Sequence, residues 1–382
     1  PYQVVGYPAA SEFYFQKPIE KLKVAECALL GAILNGPGVY NPFKNPEKAL
    51  SRRNRVLDKM KEQGFLSESQ YALALDEALP KQSPQLASET SPYFLEAARN
   101  ELVQFKISPE NKKVLLTLDI KAQAEAQKAL QDHLNHLEAH HPVVKKLKSE
   151  KNKRLEGLIL TTDNFGRSLT AIGGRSFRQS QFNRITQSRR QVGSLIKPFV
   201  YLAAMDKLEL NPESLVLDEK WQVKIHQQTW SPTNYDKKTN GAVPLYYALK
   251  MSLNIPVAKL LHEIGPETLI EYLRALGVKS PLQPHLSLSL GTAELTPIEM
   301  TQAYLALARF GQFKEISFID GLWHSNNQAV EIDAQPISTS LLNPRKTASI
   351  VGILKHTLIS GTAQSAANKM EVSSFAGKTG TT

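Results

Sequence analysis

Apolar residues recur at three- and four-residue spacing across 18–40, at Ile19, Leu22, Ala25, Leu29 and Ile33, predicting an amphipathic helix closed by Gly36-Pro37-Gly38. A second helix is predicted over 45–63, with Leu50, Val56, Leu57 and Met60 on its apolar face and Gly64 as its cap. Ser67 is placed to cap a third. Residues 1–80 thus read as a small helical unit, and 80–92, rich in Ser, Pro and Gln, as a linker. Helical spacing returns over 93–105 and 121–141, with the branched run KKVLLTLDI between them predicting a strand. LEGLILTT and SLTAIGG predict two adjacent strands joined by a turn at 163–166, with Asn164 and Gly166 as turn residues. The charge run KKLKSEKNKR at 145–154 predicts a solvated loop. A long helix from Ser194, mixed elements over 215–370 and a terminal strand place the chain in a mixed α/β (α+β) class.

Composition narrows the picture. A chain of 382 residues, 42% apolar and 21% charged, has enough apolar material for two or three folded domains. The net charge of +10 suits an anionic partner, yet no zinc-finger spacing or base-reading basic helix points to nucleic acid. The one cysteine, Cys27, excludes an internal disulfide, and its setting in VAECALLGAIL is that of a small buried residue. No apolar stretch reaches the roughly 18 residues that span a bilayer. The chain opens on Pro1 without a signal peptide, so both ends are expected to be cuts in a longer protein. His133, His136 and His140 share a helical face, with His141 beside them, but no Cys or Asp completes a ligand set; a solvated polar face is expected.

The closing AGKTGTT invites a phosphate-loop reading. That loop needs a glycine where Val372 stands, and the threonines favour a strand over the helix that would follow. A different chemistry fits better. In QVGSLIKPFVYLAAM, Ser194 is followed three residues on by Lys197, one helical turn along the same face. Pro198 falls in the first turn, where N–H groups lack helical partners. A serine at that end meets the positive pole of the helix, which favours a developing oxyanion. Alone, the pair also suits a capping serine and an exposed lysine. Two further motifs change the balance: Ser252-Leu253-Asn254 supplies S-x-N, and Lys378-Thr379-Gly380 supplies K-T-G. A second S-x-N at Ser325-Asn326-Asn327 lies in a polar loop, whereas Ser252 ends a helix-like run, so Ser252 is preferred. S-x-x-K, S-x-N and K-T-G in this order resemble the signature of penicillin-recognising serine enzymes, which attack a D-alanyl amide or a β-lactam.

The residue types suit that chemistry. A serine hydroxyl is a poor nucleophile until a neighbour takes its proton, and Lys197 can do so only when neutral. Free lysine titrates at about 10.4, so neutrality near pH 7 needs burial together with a second cation, Lys378. Ser252 is expected to relay a proton to the leaving amine, and Asn254 to hold Lys197 and the substrate amide in register. On a strand, Lys378 and Gly380 face one way and Thr379 the other. Gly380 then leaves room for a substrate backbone, while Lys378 and threonine hydroxyls meet a terminal carboxylate. The N–H groups of Ser194 and Thr381 are the expected oxyanion hole. This chemistry calls for no cofactor and no metal.

Longer blocks carry a wider resemblance: QFNRITQSRRQVGSLIKPFVYLAA, WSPTNYDKKTNGAVPLYYALKMSLNIPVAKL, SLGTAELTPIEMTQAYLALARFG, LISGTAQSA and FAGKTGTT. With them the chain resembles the class A penicillin-binding proteins, bifunctional peptidoglycan glycosyltransferases and transpeptidases, most closely the subgroup typified by penicillin-binding protein 1b. The resemblance implies a β-lactamase/transpeptidase-like antiparallel sheet flanked by helices, preceded by a helical remnant of a lysozyme-like glycosyltransferase domain. It divides the chain into that remnant at 1–80, a linker region at 81–155 and a penicillin-binding transpeptidase domain at 156–382. The family's catalytic glutamates of glycosyl transfer, and its membrane helix, would lie before Pro1, so this stretch is expected to lack glycosyltransferase activity. Strands that follow K-T-G in the family would lie beyond Thr382.

The resemblance further implies a donor stem peptide ending in D-Ala-D-Ala, attack by Ser194 on the penultimate carbonyl, and cross-linking by an amine of a neighbouring stem peptide. β-Lactams would acylate the same serine. Trp230, Asn234, Gly361 and Thr362 match family positions near the cleft. Implied partners are peptidoglycan stem peptides, lipid-linked glycan chains, β-lactam antibiotics and cell-wall synthesis proteins, with the membrane reached through an N-terminal anchor. The implied location is the periplasmic face of the bacterial inner (cytoplasmic) membrane. Two alternatives stay open: a D,D-carboxypeptidase or β-lactamase that passes the acyl group to water, and a non-catalytic penicillin-binding sensor or scaffold.

Overall fold

The computed structural model describes residues 6–80, 91–110, 112–151, 154–225, 227–324, 326, 328–330, 342–367 and 375–381. Within it the chain forms two compact units, one in residues 1–90 and one in 91–382. No described helix is long and apolar enough to cross a membrane.

The first unit is helical: α1 (Tyr7–Phe15), α2 (Val24–Leu34), α3 (Pro46–Glu62) and α4 (Glu68–Asp76). The predicted start at residue 18 is corrected, because only a short 3-10 turn, Ile19–Lys21, precedes α2. The Glu26 carboxylate accepts the Lys23 N–H and opens the helix there. α2 buries Ala25, Ala28, Leu29, Ala32 and Ile33, one face at helical spacing. Cys27 lies off that face and is exposed, contrary to its apolar setting in the sequence. α3 buries Ala49, Arg53 and Leu57, a stripe at four-residue spacing that turns Leu50 outward. Buried Arg53 is tolerated because it donates to the carbonyls of Leu75 and Glu77. Ser67 caps α4, accepting the Gln70 N–H while its own N–H meets the Gln70 side chain.

The second unit opens with α5 (Pro92–Gln104), β1 (Lys112–Leu116), α6 (Ile120–His140) and α7 (Pro142–Lys151). The loop expected at 145–154 is instead largely α7, since its lysines are good helix formers and Pro142 suits the first helical position. His133, His136 and His140 are exposed on α6. The hairpin β2 (Ile159–Thr162) and β3 (Ser168–Ile172) follows, antiparallel as predicted. Next come β4 (Arg190–Gln191), α8 (Lys197–Lys207), β5 (Leu215–Asp218), β6 (Val223–Ile225), β7 (Gln228–Trp230) and β8 (Gly241–Pro244). The chain continues through α9 (Leu245–Lys250), α10 (Ile255–Ile264), α11 (Pro266–Ala275), β9 (Glu294–Leu295), α12 (Pro297–Ala308), β10 (Ile319–His324), α13 (Pro344–Ser360) and α14 (Gln364–Ala367).

Mixed helix and strand is thus the class. Among the described residues the strands pair as five two-stranded ladders, all antiparallel: β1–β10, β2–β3, β4–β9, β5–β8 and β6–β7. Ser168 N–H to the Ser317 carbonyl and Asp119 N–H to the Leu169 carbonyl stitch the first two ladders together. Their inner face packs on α5, where Phe94 meets Phe318 edge to face at 5.2 Å. The larger core surrounds α8, whose residues 197–205 are all buried. Leu249 of α9, Val257 and Leu261 of α10, Leu269 and Leu273 of α11, and Ile350 and Leu354 of α13 close around it. A helix apolar on every side belongs at the centre of a domain.

The terminal strand is also corrected. Described residues 375–381 join no ladder, because their backbone lies against other partners: Gly377 N–H reaches the Leu354 carbonyl of α13, and Thr381 lies against Gly193.

Candidate active site

The nucleophile candidate stands where an extended segment turns into α8. β4 pairs with β9, Val192 N–H donates to the Ala293 carbonyl, and Gly193 N–H donates to the Gly291 carbonyl. Gly193 then turns at φ +52°, and a Cβ there would collide with the Thr381 carbonyl. Only glycine meets both demands. A 3-10 turn, Gly193–Ile196, carries half-buried Ser194, and Lys197 is the first residue of α8. The predicted helix start at Ser194 is therefore this tighter turn. Tyr304, partly buried on α12, donates its hydroxyl to the Leu195 carbonyl at 2.9 Å and pins the turn to the core.

Lys197 is 1% exposed. Its Nζ donates to the Ser252 carbonyl at 2.6 Å and to Asn254 Oδ1 at 2.6 Å, with Ser252 Oγ at 3.3 Å. Burial first, and the charge of Lys378 second, lower its pKa to about 7. Lys378 donates to the same Ser252 Oγ at 2.9 Å and to the Thr379 carbonyl at 3.0 Å. Burial lowers it to about 8. Two ammonium groups sharing one hydroxyl repel each other, so they lose their protons in two steps that belong to the pair. Between those steps one lysine is neutral and the other charged. A neutral Lys197 can spend two N–H donors on the 2.6 Å carbonyls and keep its lone pair to accept a proton from a hydroxyl.

Ser252 occupies a left-handed position, φ +57°, immediately beyond α9. Leu253 N–H returns to the Ala248 carbonyl, closing a helix end that usually holds glycine. A non-glycine residue there is held against a local preference of about 1 kcal/mol, and the result aims both its carbonyl and its hydroxyl at Lys197. Asn254 begins α10, its Nδ2 on the Thr233 carbonyl at 2.8 Å.

The other expected groups divide. Thr379 and Thr362 share a hydrogen bond between hydroxyls at 2.9 Å, so K-T-G and the end of α13 meet at one rim. A Cβ on Gly361 would lie 2.8 Å from the Lys250 carbonyl, fixing that rim against α9. A Cβ on Gly380 would lie 2.9 Å from Leu195 Cγ, so a larger residue there would push on a side chain of the nucleophile turn. Thr381 backs onto Gly193, and Ser194 carries one of the opening N–H groups that a helix leaves without an intrahelical partner. Among the described residues no hydrogen bond joins Ser194 Oγ to Lys197, so the two are brought to one site without being engaged.

One expectation is corrected. Asn234 is 4% exposed and spends its polar atoms inside the protein, on Asp218, on Lys238 and on the Asn254 N–H. It supports the site from behind. Trp230 packs edge to face on Trp221 at 6.1 Å and forms no bond with the lysine cluster among the described residues. The competing S-x-N cannot be compared, since Ser325 and Asn327 lie outside the described residues. Asp218 was missed, although LVLD carries a signal: Val216 and Asp218 face inward while both leucines face out.

Known proteins resemble this chain in sequence and in fold. The profile of the penicillin binding protein transpeptidase domain matches residues 157–382, and that of the transglycosylase matches 2–61. Penicillin-binding protein 1B of Haemophilus influenzae is 32% identical, over 100% of this chain and 48% of its own length. Penicillin-binding protein 1A of Aquifex aeolicus is 30% identical over 99% of this chain and 61% of its own. The chain therefore spans about half the length of the curated relatives it matches. In fold, it superposes on the crystal structure of penicillin-binding protein 1A from Haemophilus influenzae with TM-score 0.72, 23% identity and coverage of 100% of this chain and 75% of that one. The chain belongs to the penicillin-binding protein transpeptidase family, in the class A group that couples this domain to a transglycosylase.

Proposed function

We propose that the second unit is a serine D,D-transpeptidase acting on peptidoglycan stem peptides that end in D-Ala-D-Ala. The observation that carries this reading is the Lys197–Ser252–Lys378 arrangement, one buried lysine and one cation meeting on a single hydroxyl. In the reaction, Ser194 Oγ bonds to the penultimate D-alanyl carbonyl carbon, and its proton passes to neutral Lys197. The oxyanion is received by the N–H groups of Ser194 and Thr381. The carbon–nitrogen bond to the terminal D-alanine then breaks, and the proton moves from Lys197 through Ser252 Oγ to the leaving amine. An acceptor amine next attacks the ester, loses one proton along the same path, and Ser194 regains its hydroxyl. Lys378, with Thr379 and Thr362, meets the terminal carboxylate. A β-lactam enters at the first step, and its ring nitrogen stays attached to the acyl group.

The parent protein would add glycosyl transfer on lipid-linked glycan through the domain to which residues 2–61 belong. Action on the periplasmic face of the bacterial inner membrane, with an anchor outside this chain, suits the same reading. A fluorescent penicillin tests it. The expected result is a lasting one-to-one label on Ser194, lost in Ser194→Ala, with D-alanine released from a D-Ala-D-Ala peptide beyond one equivalent per chain only when an acceptor amine captures the acyl group. Rapid turnover of the penicillin to free acid without a lasting label would replace the proposal with a hydrolase.

A further inference from the structure

Behind the candidate site a second set of polar side chains leads inward. Asp218 ends β5 with 0% exposure, and no lysine or arginine contacts its carboxylate among the described residues. It accepts Asn234 Nδ2 on one oxygen at 2.7 Å, and both the N–H and the Nδ2 of Asn240 on the other, at 2.9 and 2.6 Å. A buried carboxylate without a salt-bridge partner is costly unless neutral donors are held firmly toward it. Those donors come from the 231–240 loop, which Asp218 thereby ties to the end of β5.

Asn234 then faces the other way. Its Oδ1 accepts the Asn254 N–H at 2.8 Å and the Ile255 N–H at 3.4 Å, the first N–H groups of α10. Its Nδ2 also donates to the Lys238 carbonyl at 2.8 Å, which closes the loop on itself. The same loop presents the Thr233 carbonyl to Asn254 Nδ2 at 2.8 Å. Backbone and side chain of Asn254 are thus both set by this loop, and its free side-chain atom, Oδ1, meets Lys197 Nζ at 2.6 Å.

We infer that Asp218 and Asn234 are positioning residues for acyl transfer, an inner chain that sets Asn254 and through it the amine of Lys197. The inference rests on the proposed transpeptidase reading. Neither residue reaches the cleft: Asp218 is wholly buried and Asn234 nearly so. Val216 and Val243, paired across β5 and β8, hold that ladder to the main core. Their joint product is a direction, and a displacement of about 1 Å at a reacting group costs about a hundredfold in rate.

The test uses the whole chain with a fluorescent penicillin, rapid quenching and a concentration series, which separates non-covalent affinity from the acylation rate constant and counts labelled molecules. Asn234→Ala is expected to lower the rate constant about 10- to 100-fold, with affinity within about twofold of wild type and one label per chain. Asn234→Asp, which sets two carboxylates face to face, is expected to lose as much. Adding Asp218→Asn to it restores a donor and an acceptor with their places exchanged, and is expected to recover about tenfold of the loss. A rate constant within about twofold of wild type in Asn234→Ala overturns the inference. So does a loss that falls on the number of labelled molecules while the remainder react at the wild-type rate, because that is a structural role. Absence of recovery in the double variant overturns the part given to Asp218. Failure of the wild-type chain to label at Ser194 would instead remove the transpeptidase reading itself.

Discussion

The two walls of the candidate site are built differently. The wall that carries Ser194 and Lys197 begins α8, where residues 197–205 are buried and helices pack on every side. The wall that carries Lys378 to Thr381 joins no ladder among the described residues. It is held by Gly377 on the Leu354 carbonyl, by Lys378 on Ser252 and by Thr379 on Thr362. Core packing positions the first wall, and polar contacts of the site position the second. Lys197 is consequently perturbed mainly by the protein around it, and only secondarily by Lys378.

Substitutions can separate the walls. Ser194→Ala removes the nucleophile and should lower penicillin acylation by about 10⁴-fold or more while leaving the melting temperature unchanged; residual label above that level would move the nucleophile elsewhere. On the packed wall, Phe199→Ala should cost about 3 to 5 kcal/mol in denaturant unfolding, with the folded fraction still acylated at a near wild-type rate. On the polar wall the balance should reverse. Lys378→Ala is expected to lose about 10- to 100-fold in acylation with little change in stability. It should also move the acid limb of the pH profile upward, because the cation that helps lower Lys197 is gone. The move should be modest, since burial is the larger cause. Thr379→Val, which breaks the bond to Thr362, should cost under about 1 kcal/mol and change acylation only a few-fold. Equal stability losses on both walls would dissolve the contrast.

Lys197 also links stability to pH. Its folded pKa, about 7, lies below the ordinary lysine value of 10.5, so the folded state disfavours the proton that the unfolded chain keeps. That penalty is complete below about pH 7 and fades as pH rises to about 10.5, where both states are neutral. Compared with Lys197→Met, the wild-type chain should gain on the order of 4 kcal/mol across that window. Denaturant melts of the two proteins at pH 7 and pH 10 check the sign.

What was legible in the sequence depended on distance along the chain. Local periodicity located α3, α5 and α6 to within a residue or two, and the β2–β3 hairpin with its turn, because helix faces and tight turns are decided by near neighbours. The three short motifs named Lys197, Ser252, Asn254 and Lys378, which the structure joins by hydrogen bonds. Pairing across the chain was not legible: a strand pattern at 376–381 says nothing of whether a neighbouring strand stands beside it. Charge was a poor guide at 145–154, where lysines mark a solvated surface whether that surface is loop or helix. Asn234 looked like a cleft residue because it lies in a motif-rich block, and only its partners show that it faces inward. Asp218 was visible only as a reversal of the inward and outward positions of β5.

The proposed acyl transfer needs a Lys197 that is neutral near physiological pH and takes the proton of Ser194. The acylation rate constant of the chain with a penicillin, measured from pH 5 to 10 beside Lys197→Ala, tests this most directly. The wild type should rise through an acid limb near pH 7 and decline as Lys378 discharges above about 8, while Lys197→Ala is slower by about 10²- to 10⁴-fold and lacks the acid limb. A variant profile that overlays the wild type would contradict the account and assign the proton to another group.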